Sequence, residues 1–211
     1  MKPDKKELRS DATRIALVET AEALFAEHGI VGVSLRQIGA QAGSANSNVV
    51  GYHFGSKEGL IEAIYRYRLP EIDRRRGQLF EAVVREGKDA DFRTLLEALW
   101  LPLFEQRSAN NTHSFGRFLG SISRAGFAWT RHLLNPLYPN TMEIARRMHA
   151  LDEPQLPDLR EFHVQMRFSL LASGLEQIDA QFPNDEKMQA MCFEELLNMA
   201  TAAFVARRCH V

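Results

Sequence analysis

Three short polar side chains stand in a row at Asn46-Ser47-Asn48, inside the stretch AGSANSNVVGYHFGSKEGL that spans 42–60. Each carries a hydrogen-bond donor and an acceptor on a short tether. An Asn amide pairs bidentately with the N6/N7 edge of adenine, and a Ser hydroxyl reaches base edges or phosphates. Tyr52 and His53 follow with a phenol and an imidazole, and Lys57 adds an ammonium directly after Ser56. A lysine at a helix start, beside backbone N–H groups that point outward, suits a phosphate. Val50 and Phe54 lie four apart and give such a segment an inward apolar face.

Other chemistries find no foothold. There is no Gly-rich phosphate loop, no nucleophile elbow and no pair of carboxylates beside a catalytic His at motif spacing, so an enzyme is not expected. His113, His132, His149 and His163 are scattered without ligand spacing, and neither a metal nor another cofactor is expected. Cys192 and Cys209 are 17 residues apart in one expected helix, too far along a rigid rod to be bridged within the chain. Reduced thiols fit a cytoplasmic setting. No apolar run reaches the roughly 18 residues of a membrane span, and the charged start MKPDKKELRSDATR does not read as a secretory signal.

The elements that must position the polar segment are helical. In DATRIALVETAEALFAEHG, Ile15, Val18, Ala21 and Leu24/Phe25 recur at three and four, with Asp11 as expected N-cap and Gly29 as the stop. Ser34 and Gln37 make a capping-box pattern for a short second helix ended by Gly43. A third segment runs from about Asn46 to His53, and Ser56 caps a long helix from Lys57 that Pro70 should kink or interrupt. Further helices are expected over about 92–106, 113–126, 128–149, 158–181 and 185–208, with no alternating strand pattern. The fold class is all-α.

A short helix, a Gly-containing turn and another short helix form the helix-turn-helix layout, whose second helix enters the major groove. Weak helix formers are tolerable there because stability comes from packing. Over about Thr13 to Ala63 the chain resembles the DNA-binding domain of the TetR (tetracycline-repressor) family of transcriptional regulators. The likeness rests on TRIALVETAEALFAEHG, on the Ser-initiated short helix with Ile38 and Ala42-Gly43, and above all on YHFGSKEGL. It implies a nine-helix homodimer whose C-terminal domain binds a small effector and releases DNA, with the last two helices as the dimer interface. The DNA-side residues it points to are Ser34, Arg36, Asn46, Ser47, Asn48, Tyr52, His53 and Lys57. Ser34 is equally a helix cap, His53 equally a packed residue, and Arg36 equally a solvated charge. From Ala42 to Phe54 there are 13 positions, one more than the family's usual spacing, which places the extra residue at Ser44-Ala45. Asn46 then falls on the usual N-cap. Gly51 stands where the family often has a phosphate-contacting Tyr, and Tyr52, one place later, takes that role.

The expected domains are a basic flexible arm at 1–10, the DNA-binding domain at 11–56, a connecting helix at 57–88 and the effector-binding and dimerisation domain at 89–211. Lys2, Lys5, Lys6 and Arg9 could lie in a minor groove or stay solvated. In the C-terminal part, Trp100, Phe104, Phe118, Phe127, Trp129, Tyr138, Phe162 and Met166 could line a pocket for an effector of apolar character, or be plain core. Arg167 and His163 could meet a polar ligand group or bond across subunits. Broad apolar faces on the last two helices include Phe162, Met166, Leu170, Gly174, Cys192, Leu196, Met199 and Ala203. They fit either a subunit interface or a helix at the centre of a monomer.

Charge is permissive only: residues 1–88 hold 14 Lys/Arg against 12 Asp/Glu, and 89–211 hold 12 against 15. The expected partners are double-stranded DNA, a second copy of the chain and a small molecule, with no membrane. The function so read is a repressor released from a palindromic operator. The competing reading is a nucleoid-associated or partner-recruiting protein on the same scaffold, without effector sensing.

Overall fold

The computed structural model describes residues 4–126, 138–151 and 160–205, and all the regular structure among them is helical. Nine helices follow in order: α1 (Lys5–Gly32), α2 (Leu35–Gln41), α3 (Val49–Phe54), α4 (Lys57–Arg85), α5 (Phe92–Glu105), α6 (Ser114–Arg124), α7 (Pro139–Leu151), α8 (Arg160–Gln181) and α9 (Glu186–Val205).

Helix α1 starts earlier than expected. The segment read as an arm is helical from Lys5, and the Asp4 N–H donates to Glu7 Oε2 at 3.0 Å. The spacing Asp4-x-x-Glu7 is itself a capping pattern, which the surrounding charges disguised. Gly29, at φ 77 and ψ 162, breaks the helical path before a last turn that ends at Gly32. That backbone conformation is open essentially to glycine alone. The buried stripe of α1 is Leu17, Val18, Ala21 and Phe25, whereas Ile15, expected inside, is 43% exposed.

Helix α4 runs unbroken through Pro70. Pro70 faces solvent, so water can satisfy the carbonyl one turn earlier that lost its partner. Its inward residues Leu60, Ile61 and Ile64 close the core under α1, α2 and α3. The apolar core then continues without a gap into the C-terminal helices, because α6 packs along α1 and carries Phe115 and Phe118 against Tyr65 of α4. Gly116 and Gly120 on α6 let α8 approach until a Cβ on Gly120 would lie 3.0 Å from Ala172.

Two buried polar nodes tie these helices together. Glu22 of α1 is 1% exposed and accepts from Arg68 Nε of α4 at 2.6 Å and from the Ser114 hydroxyl at the start of α6. Asp73 of α4 accepts from the backbone N–H groups of Asn140 (3.1 Å) and Thr141 (2.7 Å), so it caps α7 from a neighbouring helix. Pro139 occupies the first helical position there, where no donor is needed. Arg76, one turn on, donates to the Leu99 carbonyl of α5 and to Thr141 Oγ1. Burial pushes its guanidinium down to about 10, opposed by the Asp73 charge, so it remains a cation at neutral pH.

Candidate nucleic-acid interface

Helix α2 is capped as its sequence predicts. Ser34 Oγ accepts from the Gln37 N–H at 3.2 Å, and the Ser34 N–H donates to Gln37 Oε1 at 2.8 Å. Its end closes on Gly43 at φ 78, with the Ser44 N–H donating to the Gly39 carbonyl and the Gly43 N–H to that of Ala40. These paired bonds are the Schellman stop. The turn that follows is held by its own side chains. The Asn46 N–H donates to Ser44 Oγ (3.1 Å), and the Asn48 N–H donates to Asn46 Oδ1 (2.9 Å). Asn46 therefore ties the turn three residues before α3 proper begins at Val49, with Asn48 as its N-cap.

The polar trio sits at the entrance of α3, not within it, which corrects the expected start of that helix. Asn46, Ser47 and Asn48 are all exposed, while Val49 and Val50 behind them are 7% and 1% exposed. Gly39 allows this close packing of α2 on α3, since a Cβ there would lie 3.0 Å from Val49 Cγ1. On the outer face Tyr52 is 80% exposed and meets the edge of the half-buried His53 ring at 5.1 Å. Phe54 turns inward and carries the Arg14 guanidinium 5.2 Å from its centroid. Gly51 leaves room for a neighbour: a Cβ there would fall 2.5 Å from Asn48 Oδ1. The Asn48 amide thus lies across α3 over the position that has no side chain. Arg36 and Ser34 are exposed on α2.

Lys57 behaves differently from the expectation of an outward phosphate contact. Its Nζ donates to the carbonyls of Ile30 (2.9 Å) and Val33 (2.7 Å), closing the end of α1. One of its three N–H donors remains beyond these two bonds. Beside it, a backbone N–H and then the Ser56 hydroxyl hold the Glu58 carboxyl below its ordinary range. The N-terminus of α4 is therefore already served by an anion of the chain itself.

The residues read as an effector pocket do not gather in one place. Trp100 lies on a cleft between α5, α7 and α8, together with Phe92, Leu99, Met148 and Phe168. Phe104 instead stacks on His113 (4.7 Å) and Phe193 (4.3 Å). Phe118 is fully buried beside Phe25, Tyr138 is 7% exposed, and Met166 is on the outer surface at 52%. Phe127, Trp129 and the Phe162 side chain lie outside the described residues, as does Cys209. Sequence reasoning passed over Phe92, Met148 and Phe168 because each sits at ordinary core spacing. Of the expected interface residues, Met166, Leu170, Met199 and Ala203 are exposed. Leu196 is 4% exposed and is used inside the protomer, fitted against Gly174, while Cys192 is half-buried on the core. On α9, Phe193, Leu196, Leu197 and Ala200 face inward, while Met191 and Met199 face out.

The family model described as bacterial regulatory proteins, tetR family, matches residues 17–64, the span from the buried stripe of α1 through the first turns of α4. The match places a DNA-binding domain of that family in the N-terminal part of the chain, and the protein is a DNA-binding transcriptional regulator. No curated protein matches the chain. Among the described residues no helix is long and apolar enough to cross a membrane.

Proposed function

We propose that the protein is a repressor that holds a pseudo-palindromic operator as a homodimer and leaves it when a small molecule occupies the C-terminal domain. The observation that carries this reading is the connection of α4. Its first turn receives the Asn46–Asn48 and Tyr52 surface through α3, Asp73 and Arg76 past its midpoint grip α7 and α5, and Val83 near its far end shares a buried cluster with Leu95 of α5 and Ile144 of α7. A ligand that shifts α5 or α7 therefore acts on the element that carries the DNA-reading surface. Dimerisation is supported by a free apolar face: Met166 and Leu170 on α8 and Met191 and Met199 on α9 are 52, 40, 53 and 55% exposed. Such a face on paired helices suits a four-helix interface related by a two-fold axis.

On the DNA, Asn46, Ser47 and Asn48 approach base edges, Tyr52 and Arg36 reach phosphates, and Ser34 and His53 support them. Footprinting on the DNA flanking the protein's own gene tests the reading. One protected, two-fold symmetric site, relieved by a small molecule, is the expected result. Many scattered sites that ignore every ligand would replace it with an architectural role.

A further inference from the structure

The N-terminal part of α1 is exposed on every side. Residues 7–16 are all exposed, and burial begins only at Leu17 and Val18. The family match begins at residue 17 as well, so this part of the helix lies outside it. A helix of about a dozen residues has little stability of its own in water, and this one is held as the continuation of the packed part of α1. Two contacts fix its direction against the helix-turn-helix. The Arg14 guanidinium rests 5.2 Å from the centroid of the Phe54 ring of α3. On the adjoining face, Ala12, Thr13, Ala16 and Leu17 line one wall of a groove whose other wall is Ala42, Gly43 and Ser44. That second wall leads straight into the exposed Asn46–Asn48 surface. The extension therefore leaves the domain beside the polar trio.

Charge is sorted along this segment. At about 100° per residue, Lys5 and Arg9 fall on the face of Ala12, Thr13 and Ala16, and Glu7 and Asp11 on the opposite one. Many arginines of the later helices hold a carboxylate, as Arg66 does Glu62, Arg75 does Glu105 and Arg147 does Glu143. Arg9 has no such partner among the described residues. A cationic face next to a surface suited to base edges is complemented by the sugar-phosphate backbone beside it. The minor groove is a poorer match: it is about 6 Å wide, and a helix with its side chains is about 10 Å across. We infer that the N-terminal part of α1 lies along the DNA backbone flanking the half-site, with Arg9, and Lys5 one turn earlier, on phosphates. From Lys5 to Leu17 the helix spans about 18 Å, the rise of about five base pairs. It lengthens the contact without adding base readout.

The inference rests on the reading of Asn46–Asn48 as the DNA surface, and the test separates the two. Phosphate contacts ignore sequence, so the full-length protein is titrated with a random-sequence duplex of about 40 base pairs, by fluorescence anisotropy, from about 50 to 200 mM salt. The log–log salt slope of Arg9→Gln should be shallower by about one for each protomer engaged, and that of Lys5→Gln/Arg9→Gln by about twice as much. Arg9→Lys should keep the parent slope. A thermal melt of each variant confirms that it is folded. On the operator, hydroxyl-radical footprinting of the double variant should lose the outermost backbone protections and keep those over the half-sites. An unchanged slope in the double variant, or outer protections that persist in it, would overturn the inference. So would its dissociation to monomer in sedimentation velocity without DNA, which would give this face to a second copy of the chain. If Asn48→Ala keeps the parent base preference while the double variant loses slope, the reading of the trio fails and the flanking contact stands. An altered base preference in Asn48→Ala, with an unchanged slope in the double variant, would do the reverse.

Discussion

At the scale of single residues, the interface turns on Asn48, Gly51 and Lys57. Asn48→Ala should weaken the cognate site by roughly 1–3 kcal/mol and relax one base position, as seen by gel shift across a set of single-base operator variants. Gly51→Ala is a sharper probe. The new methyl must displace the Asn48 amide, yet alanine favours the helix over glycine by up to about 1 kcal/mol. The variant should therefore melt at the same or a higher temperature while binding the operator less well. If its base preference and affinity match the parent protein, Asn48 does not read DNA from that position. Lys57→Ala should lose about 1.5–3 kcal/mol in urea unfolding, because two carbonyls lose a charged donor. If its third N–H also meets a phosphate, the salt slope of DNA binding falls by about one as well. Sequence could expose the first role only poorly. The carbonyls it serves lie 27 and 24 residues away, and nothing local records that pairing. Counting back from Phe54 puts the cap of α3 at Asn46, whereas the helix is capped at Asn48 and Asn46 holds the turn before it, because the extra residue of the turn is absorbed there.

At the scale of elements, helix type and order were readable because amphipathic spacing and caps are local. Ser34 with Gln37, Gly43 and Ser56 mark boundaries that the structure keeps. What escaped the sequence were facts decided by packing. Ile15 and Leu17 sit two apart on the same helix, and only the packing of the neighbouring helices on α1 selects Leu17 for the interior. Pro70 did not stop α4 because the carbonyl it frees faces water. The polar nodes were equally hidden, since Asp73 and its partners are 67 and 68 residues apart. Asp73→Ala should cost roughly 3–5 kcal/mol, because it removes the cap of α7 and leaves Arg76 buried without its neighbouring charge. Urea unfolding measures this; a loss below 1 kcal/mol would mean that water replaces the carboxylate.

At the scale of the whole molecule, the exposed methionines are the proposed contact between subunits. Met199→Glu places a charge on the face formed by Met166, Leu170 and Met191, and in a symmetric pair the two carboxylates would meet across the axis. Sedimentation velocity should show the monomer fraction rising at least tenfold at micromolar concentration, with operator affinity falling in parallel. A dimer that survives unchanged would move the interface elsewhere. This face was only partly legible, because the periodicity of α9 marks two apolar stripes but not which one the protomer covers itself. The 29 residues of α4 add a mechanical consequence. At 1.5 Å per residue the helix is a lever of about 43 Å. A tilt of about 5° at the end held by α5 and α7 moves the other end by ~4 Å, close to one base-pair step of the duplex. In a symmetric pair the two reading heads would diverge by up to about twice that. A displacement of α5 or α7 too small to disturb the core would then be enough to put two half-sites out of reach at once.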